Sequence, residues 1–354
     1  MNRPNRTPRR LCLLLALLLG ILPGCRSAAP SRGADGIRVG VALYQQNDTF
    51  IATIVSSLEA AAREREADEG LKITLNITDG RGSQATQNEQ IDRFLSTGYD
   101  VICVNLVDRT AAAVIVDKAK SAGIPLIFFN REPVREDIMR WDKVYYVGAE
   151  AGKSGVMQGE LVAEAYRADP EALDRSGDGV LQYVMLEGEP GHQDSLLRTE
   201  YSIKAVTSAN VTTEKLANDT ANWNRGQAAS RMSQWIDQFG GRIEVVFANN
   251  DDMALGALEA LKAEGYNTGD ASKYIPVVGV DATAPALESM SKGELLGTVL
   301  NDAENQGKAT VRIAVAAAAG TEVTSETIGY EVTDGKYVWI PYVKVTADNY
   351  QDFM

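Results

Sequence analysis

Runs rich in Val and Ile alternate with segments of helical periodicity from residue 37 onward, and this alternation restricts the fold more than any other feature of the chain. Ile37–Tyr44, Leu71–Thr78, Val101–Val107, Pro125–Asn130 and Val144–Gly148 read as strands, with helices over Phe50–Arg65, Ser83–Ser96 and Ala111–Ala122 between them. The pattern then repeats, with strands Val180–Leu186, Glu244–Ala248, Pro276–Val280 and Gly297–Leu300. These are separated by helices Gly155–Tyr166, Asp194–Val206, Arg225–Gln238, Ala254–Ala263 and Pro285–Ser291. Short apolar strands joined through helices form parallel sheets covered on both faces. The expectation is an α/β chain of two doubly wound units, meeting near Gly148. A chain of 354 residues is also too long for one comfortable core.

The first residues predict a destination. Arg3, Arg6, Arg9 and Arg10 precede the apolar run Leu11–Leu22, which is of secretory length and too short to span a bilayer. Residues 1–24 therefore read as a signal peptide. Its end, Leu22-Pro23-Gly24-Cys25, resembles a bacterial lipoprotein signal, in which the cysteine is lipidated and becomes the mature N-terminus. The alternative is ordinary cleavage into the periplasm. On the first reading the protein is anchored outside the cytoplasm through Cys25. Residues 25–35, rich in Ala, Ser, Pro and Gly, are then a tether.

Loss of the four arginines takes the formal charge from −13 to −17, which argues against a nucleic-acid partner. Cys12 leaves with the signal and Cys25 is the candidate lipid site. Cys103, in an apolar run, is expected to be a small core residue, so the mature chain has no pair for an internal disulfide.

Polar residues recur where the predicted strands end. Asp48 with Phe50 follows the first strand, Asn130 ends Leu126-Ile127-Phe128-Phe129, and Asn250 follows Val245-Val246-Phe247-Ala248-Asn249. Asp281 and Asn301 close the next two strands. Each also suits a helix N-cap. The loop Gly188-Glu189-Pro190-Gly191-His192-Gln193-Asp194 holds the chain's only histidine and opens a helix that carries Arg198. Open α/β sheets place ligands at these carboxyl ends. Asp and Asn acceptors mixed with Asn, Arg and His donors can satisfy a polyol, whose hydroxyls both donate and accept. Phe50 and Trp223 would supply apolar faces for a pyranose ring.

Catalysis is a weaker reading of the same residues. His192 and Asp194, two positions apart on a turn, do not make a triad, and there is no nucleophile elbow and no Gly-rich phosphate loop. A sugar-responsive repressor would carry a helix-turn-helix where this chain has the signal.

A broader likeness covers almost everything after the tether. It is carried by Asn47-Asp48-Thr49-Phe50, Val104-Asn105-Leu106-Val107-Asp108, Phe128-Phe129-Asn130-Arg131-Glu132-Pro133 and Lys143-Val144-Tyr145-Tyr146-Val147-Gly148. The runs Gly188-Glu189-Pro190-Gly191-His192, Ala248-Asn249-Asn250-Asp251, Val278-Gly279-Val280-Asp281-Ala282 and Gly297-Thr298-Val299-Leu300-Asn301-Asp302 continue it in order. In these the chain resembles the bacterial galactose/glucose-binding proteins. The resemblance implies a hexose-binding component of an ABC importer, or a binding protein that presents the sugar to a receptor. It implies no enzymatic activity, and partners limited to the hexose, the importer's permease and the membrane through the anchor, with the protein itself a monomer. It places sugar contacts on Asp48, Phe50, Asn130, His192, Asp194, Arg198, Trp223, Asn250, Asp281 and Asn301. It also implies three hinge crossings, with one domain of residues 36–148 plus 302–332 and another of 149–301 plus 333–354.

A second motif lies upstream of the histidine loop. In Asp174-Arg175-Ser176-Gly177-Asp178-Gly179-Val180-Leu181-Gln182, oxygens fall at positions 1, 3, 5 and 9 of a calcium loop, with Gly179 at the sharp sixth position and the Val180 carbonyl at the seventh. Position 12 is Met185, where an EF-hand needs glutamate, so locally the motif is incomplete and a polar turn reads as well. The resemblance implies that Glu244, from a distant strand, closes a structural Ca2+ site. Ser176 departs from the usual Asp or Asn at position 3.

Overall fold

A computed structural model of the protein describes residues 36–354, so the expected signal, Cys25 and the tether lie outside the described residues. The first lobe begins β1 (Ile37–Leu43), α1 (Thr49–Glu69), β2 (Ile73–Asp79), α2 (Gln84–Ser96), β3 (Val101–Val104), α3 (Ala112–Ala122), β4 (Leu126–Phe129), α4 (Arg135–Ile138) and β5 (Val144–Gly148). The second follows with α5 (Ala151–Ala168), α6 (Pro170–Leu173), β6 (Val180–Glu187), α7 (Gln193–Ser208), β7 (Thr212–Thr220), α8 (Arg225–Phe239), β8 (Val245–Ala248), α9 (Asp251–Ala263), β9 (Val277–Val278), α10 (Ala284–Ser291) and β10 (Thr298–Leu300). The tail adds α11 (Ala303–Ala319), α12 (Ser325–Ile328), β11 (Tyr337–Trp339) and β12 (Val343–Val345).

The first sheet runs β11-β5-β4-β3-β1-β2, parallel throughout. Its strands are apolar on both faces because both are covered. Val39, Val41, Cys103, Ile127 and Phe129 pack toward α1 and α11, whereas Ile102, Val104, Leu126 and Phe128 pack toward α2 and α3. Cys103 is a buried free thiol in this core. The second sheet is parallel in the order β7-β6-β8-β9. Bridges Val278–Gly297 and Asp281–Leu300 seat β10 beside β9, and β12 pairs antiparallel with β10. The expected α/β architecture of two parallel-sheet domains is what the chain forms.

Two elements differ from the sequence reading. β7, with the sequence TTEKLANDT, is an edge strand whose residues are all at least partly exposed. It lacks the apolar run by which the other strands are recognised, because only its backbone is needed to extend the sheet. The C-terminal segment expected to lie wholly in the second domain is divided. Tyr337–Trp339 joins the first sheet beside β5, and only Val343–Val345 reaches the second. Tyr337 and Trp339 stack at 5.3 Å and both meet the edge of Tyr146 on β5, so the aromatic pair holds this strand in the first lobe. The last crossing therefore falls at Ile340–Tyr342, not near residue 333.

Candidate functional site

The loops at the carboxyl ends of both parallel sheets enclose one cavity of about 340 Å³. All ten residues expected to touch a sugar line it, and Tyr44, Ile51 and Arg131 join them.

The first lobe supplies an acidic corner. Asp48 is the N-cap of α1: one carboxylate oxygen accepts from the Ile51 amide at 2.9 Å and the other from the Tyr44 hydroxyl at 2.5 Å. Capping and lining the cavity are thus compatible, since a carboxylate has about four acceptor sites. Phe50, one residue into the helix, is buried against the lobe's core. Asn130 takes a left-handed conformation (φ 60°) just past β4, and its side-chain oxygen accepts from Asn105 Nδ2 at 3.0 Å. The Arg131 guanidinium lies 3.5 Å from the centre of the Tyr44 ring.

In the second lobe His192 caps α7, and its Nδ1 accepts from the Asp194 amide at 3.1 Å. Burial, with Arg131, Arg198 and Arg109 nearby, holds the imidazole well below its ordinary pKa. The ring is therefore neutral with its proton on Nε2, which makes it a donor rather than a base. Its Nδ1 lies 3.8 Å from the Asp194 carboxylate, outside hydrogen-bond reach.

Arg198, one turn along α7, donates to Asp194 (3.1 Å), the Ser154 hydroxyl (3.1 Å), the Asn249 carbonyl (2.8 Å) and the Tyr342 hydroxyl (3.1 Å). Burial opposes its charge, but Tyr342, Asp194 and Asp281 outweigh it and keep the guanidinium protonated. Burial pushes the Asp194 carboxyl up, and Arg198 and Arg131 pull it back. Burial pushes the Asp281 carboxyl well above its ordinary value, Arg198 pulls it back, and Asp251 adds to the rise.

The aromatic wall depends on a glycine. Trp223 adopts φ 60°, and a Cβ on Gly188 would sit 2.1 Å from its indole ring. The His192 ring meets the indole edge-on at 5.1 Å. Asn250 caps α9 through the Met253 amide and directs its Nδ2 to the Trp223 carbonyl. Asn301 donates to Asp281 at 3.3 Å and accepts from Gln306 at 2.7 Å. So Asp48, His192 and Asn250 are helix caps as well as cavity residues, whereas Asn130, Asp281 and Asn301 cap nothing. Asn249 is a strut absent from the sequence reading: its side-chain oxygen accepts from the Gly188 amide, Ser195 and Thr199, tying α7 to β8. Arg131 stood beside Asn130 in sequence, but nothing there marked Tyr44, the last residue of its predicted strand.

The chemistry of this lining is recognition. Three carboxylates, two guanidinium groups, three amides and one neutral imidazole present acceptors and donors side by side, with Trp223 and Phe50 as apolar faces. The lobes also touch across the cleft, through Arg131–Glu189 at 2.9 Å, Gln193–Glu132 at 2.8 Å and Thr49–Asp252 at 2.5 Å.

The motif ahead of β6 folds into a compact loop. Asp174 accepts from the amides of Gly177, Asp178 and Gly179 and from the Ser176 hydroxyl. Glu244, on the neighbouring strand's approach, brings its buried carboxylate to the Ser176 and Gln182 amides, both at 3.0 Å. Gln182 Nε2 donates to Asp178, while its buried Oε1 has no partner. Among the described residues no three His, Cys, Asp or Glu side chains gather closely enough to hold a metal alone. The donor set here is mixed, with hydroxyl, amide and carbonyl oxygens beside the carboxylates. Its all-oxygen chemistry and the orphaned amide oxygen fit a hard cation.

Residues 39–322 match the family described as periplasmic binding protein domain. The chain is 42% identical over 329 residues to the D-galactose/methyl-galactoside binding periplasmic protein MglB of Haemophilus influenzae, covering 93% of this chain and 95% of that one. A xylitol-binding protein of Mycolicibacterium smegmatis is 30% identical, over 87% and 79% of the two chains. A solved ABC transporter solute binding protein from Bacillus halodurans with bound myo-inositol superposes with a TM-score of 0.74 at 30% identity, over 91% of this chain and 98% of that one. With two parallel-sheet lobes closing on a polar cavity and a family match across most of its length, this chain belongs to the periplasmic binding proteins.

Proposed function

We propose that the protein captures an aldohexose, D-galactose or D-glucose, in the cavity between its lobes and hands it unchanged to the permease of an ABC importer. The observation that carries this is the convergence of Asp48, Phe50, Asn130, His192, Asp194, Arg198, Trp223, Asn250, Asp281 and Asn301 on one cavity of about 340 Å³. A buried polyol needs every hydroxyl paired, since each unpaired partner costs about 1 to 3 kcal/mol. The lining supplies acceptors for the hydroxyl protons and donors for the hydroxyl oxygens. The 42% identity to a galactose-binding protein supports the hexose over other polyols. Binding rather than turnover is favoured by His192, whose Nδ1, the one basic nitrogen of its neutral ring, is occupied by a backbone amide.

Two further assignments accompany this reading. Asp174, Ser176, Asp178, Val180, Gln182 and Glu244 would hold one Ca2+, which would brace the loop against the strand after it; the orphaned Gln182 oxygen supports this. Cys25 would carry the lipid that keeps the protein at the membrane. No helix among the described residues is long and apolar enough to cross one.

The deciding experiment is a calorimetric titration of the mature protein with a panel of monosaccharides, followed by recovery of the sugar. One hexose bound per chain and returned unchanged is the expected result. Turnover of the sugar, lost on His192→Ala, would overturn it in favour of an enzyme.

A further inference from the structure

Two cavities meet at the cleft. Beyond the inner one lies an outer space of about 970 Å³, lined by Asp108, Arg109, Glu132, Glu189 and Gln193 among others. Arg131 and His192 line both, so they form the wall between them.

Arg131 is held unequally. On its own lobe its guanidinium lies 3.5 Å over the Tyr44 ring and donates to the Val107 carbonyl at 3.1 Å. Across the cleft its ion-pair contact among the described residues is Glu189 Oε2 at 2.9 Å, with the Asp194 carboxylate attracting it from farther away. The Arg131 side chain is 6% exposed and that of Glu189 30%. Parting the lobes here therefore breaks one ion pair and leaves the guanidinium already in place for the next closure. Nearby, Gln193 donates to Glu132, and Arg109 Nε donates to the Glu132 carbonyl. The other cross-cleft bond, Thr49 to Asp252, has an uncharged donor.

We propose that the Arg131–Glu189 pair is the gate between the outer vestibule and the sugar cavity, and that its breaking sets the rate at which bound sugar leaves. This rests on the hexose reading above. The pair is a charge-assisted contact to a buried guanidinium, and removing the partner of such a buried charge acts on dissociation more than on association. Because a hexose is uncharged, salt acts on release through the cross-cleft charges, and a part-exposed pair is open to screening.

The test is stopped-flow kinetics of hexose binding, followed by intrinsic tryptophan fluorescence, to which Trp223 in the cavity wall contributes, at low and high ionic strength. Glu189 does not line the inner cavity, so its variants leave the sugar contacts in place. In the wild type, release should quicken as salt rises. Glu189→Gln should release hexose about tenfold faster at low salt, with association within about twofold and the salt dependence largely gone. Glu189→Lys should release faster still and invert the dependence, because salt then screens a repulsion. Release rates equal to wild type in both variants, or an unchanged salt dependence, would overturn the gate while leaving the hexose reading intact. Failure of the wild type to bind any hexose would overturn both.

Discussion

Trp223 shows how one residue serves both fold and site. It lines the cavity and also packs in the second lobe's core with Leu186, Ala248 and Met253. Trp223→Ala should therefore lower the melting temperature and, measured well below the transition, weaken hexose binding by about 2 to 3 kcal/mol, or about 30- to 150-fold in Kd. An affinity unchanged by the substitution would remove the indole from the site. His192 makes a separate prediction because no other histidine exists to confuse it. Its folded pKa lies well below the ordinary 6.5. Below that value the unfolded chain takes up a proton that the native chain refuses, so stability falls as pH falls. Between about pH 7.5 and about pH 5 the wild type should lose roughly 2 kcal/mol more than His192→Asn, read from denaturant melts. Parallel losses would mean that the native imidazole titrates normally.

Among the elements, the pairing of α5 with α7 positions much of the second lobe's share of the site. α7 begins at the His192 cap and carries Asp194 and Arg198, and it lies against α5 where glycines let the backbones approach. A Cβ on Gly159 would sit 2.1 Å from the Ser202 carbonyl oxygen and 2.7 Å from the Ala205 methyl, both on α7. Gly159→Ala should cost about 1 to 3 kcal/mol of stability and weaken hexose binding with it, because α7 must shift. Gly152, in the same helix, faces only Tyr201 at 3.7 Å. Gly152→Ala should be neutral or gain up to about 1 kcal/mol from helix propensity. Equal melting temperatures for the two variants would show that the close approach at Gly159 does not matter.

At the scale of the molecule, the loop proposed to hold Ca2+ ties together segments far apart in sequence. Asp174 and Gln182 flank the start of β6, and Glu244 leads into the adjacent β8. An ion bound only by the native chain stabilises it by mass action, about 2.7 kcal/mol at a hundredfold excess over Kd. Chelation should lower the melting temperature by several degrees, added Ca2+ should restore it, and Glu244→Gln should blunt both responses. A melting temperature indifferent to chelator and to Ca2+ would leave the loop as a surface turn.

What the sequence by itself determined was local and repetitive. Apolar runs such as Val101–Val104 and Leu126–Phe129 are strands because both faces are covered, and that pattern is visible without knowing what covers them. The polar residues at strand ends were legible for the same reason, and the family likeness singled out the ones that share a cavity. Tertiary structure decided the rest. Asp48 and Asn250 looked equally like helix caps and ligand contacts, and only the tertiary structure shows that one side chain can cap a helix and line the cavity at once. Arg131 and Tyr44 became visible through a 3.5 Å stacking contact between residues far apart in the chain. The edge strand β7 has no apolar run because a sheet edge needs backbone bonds more than burial. The tail was divided between lobes by Tyr146, whose ring captures Tyr337 and Trp339. Periodicity reports which face of an element is buried, but which lobe buries it depends on contacts that are distant in the chain.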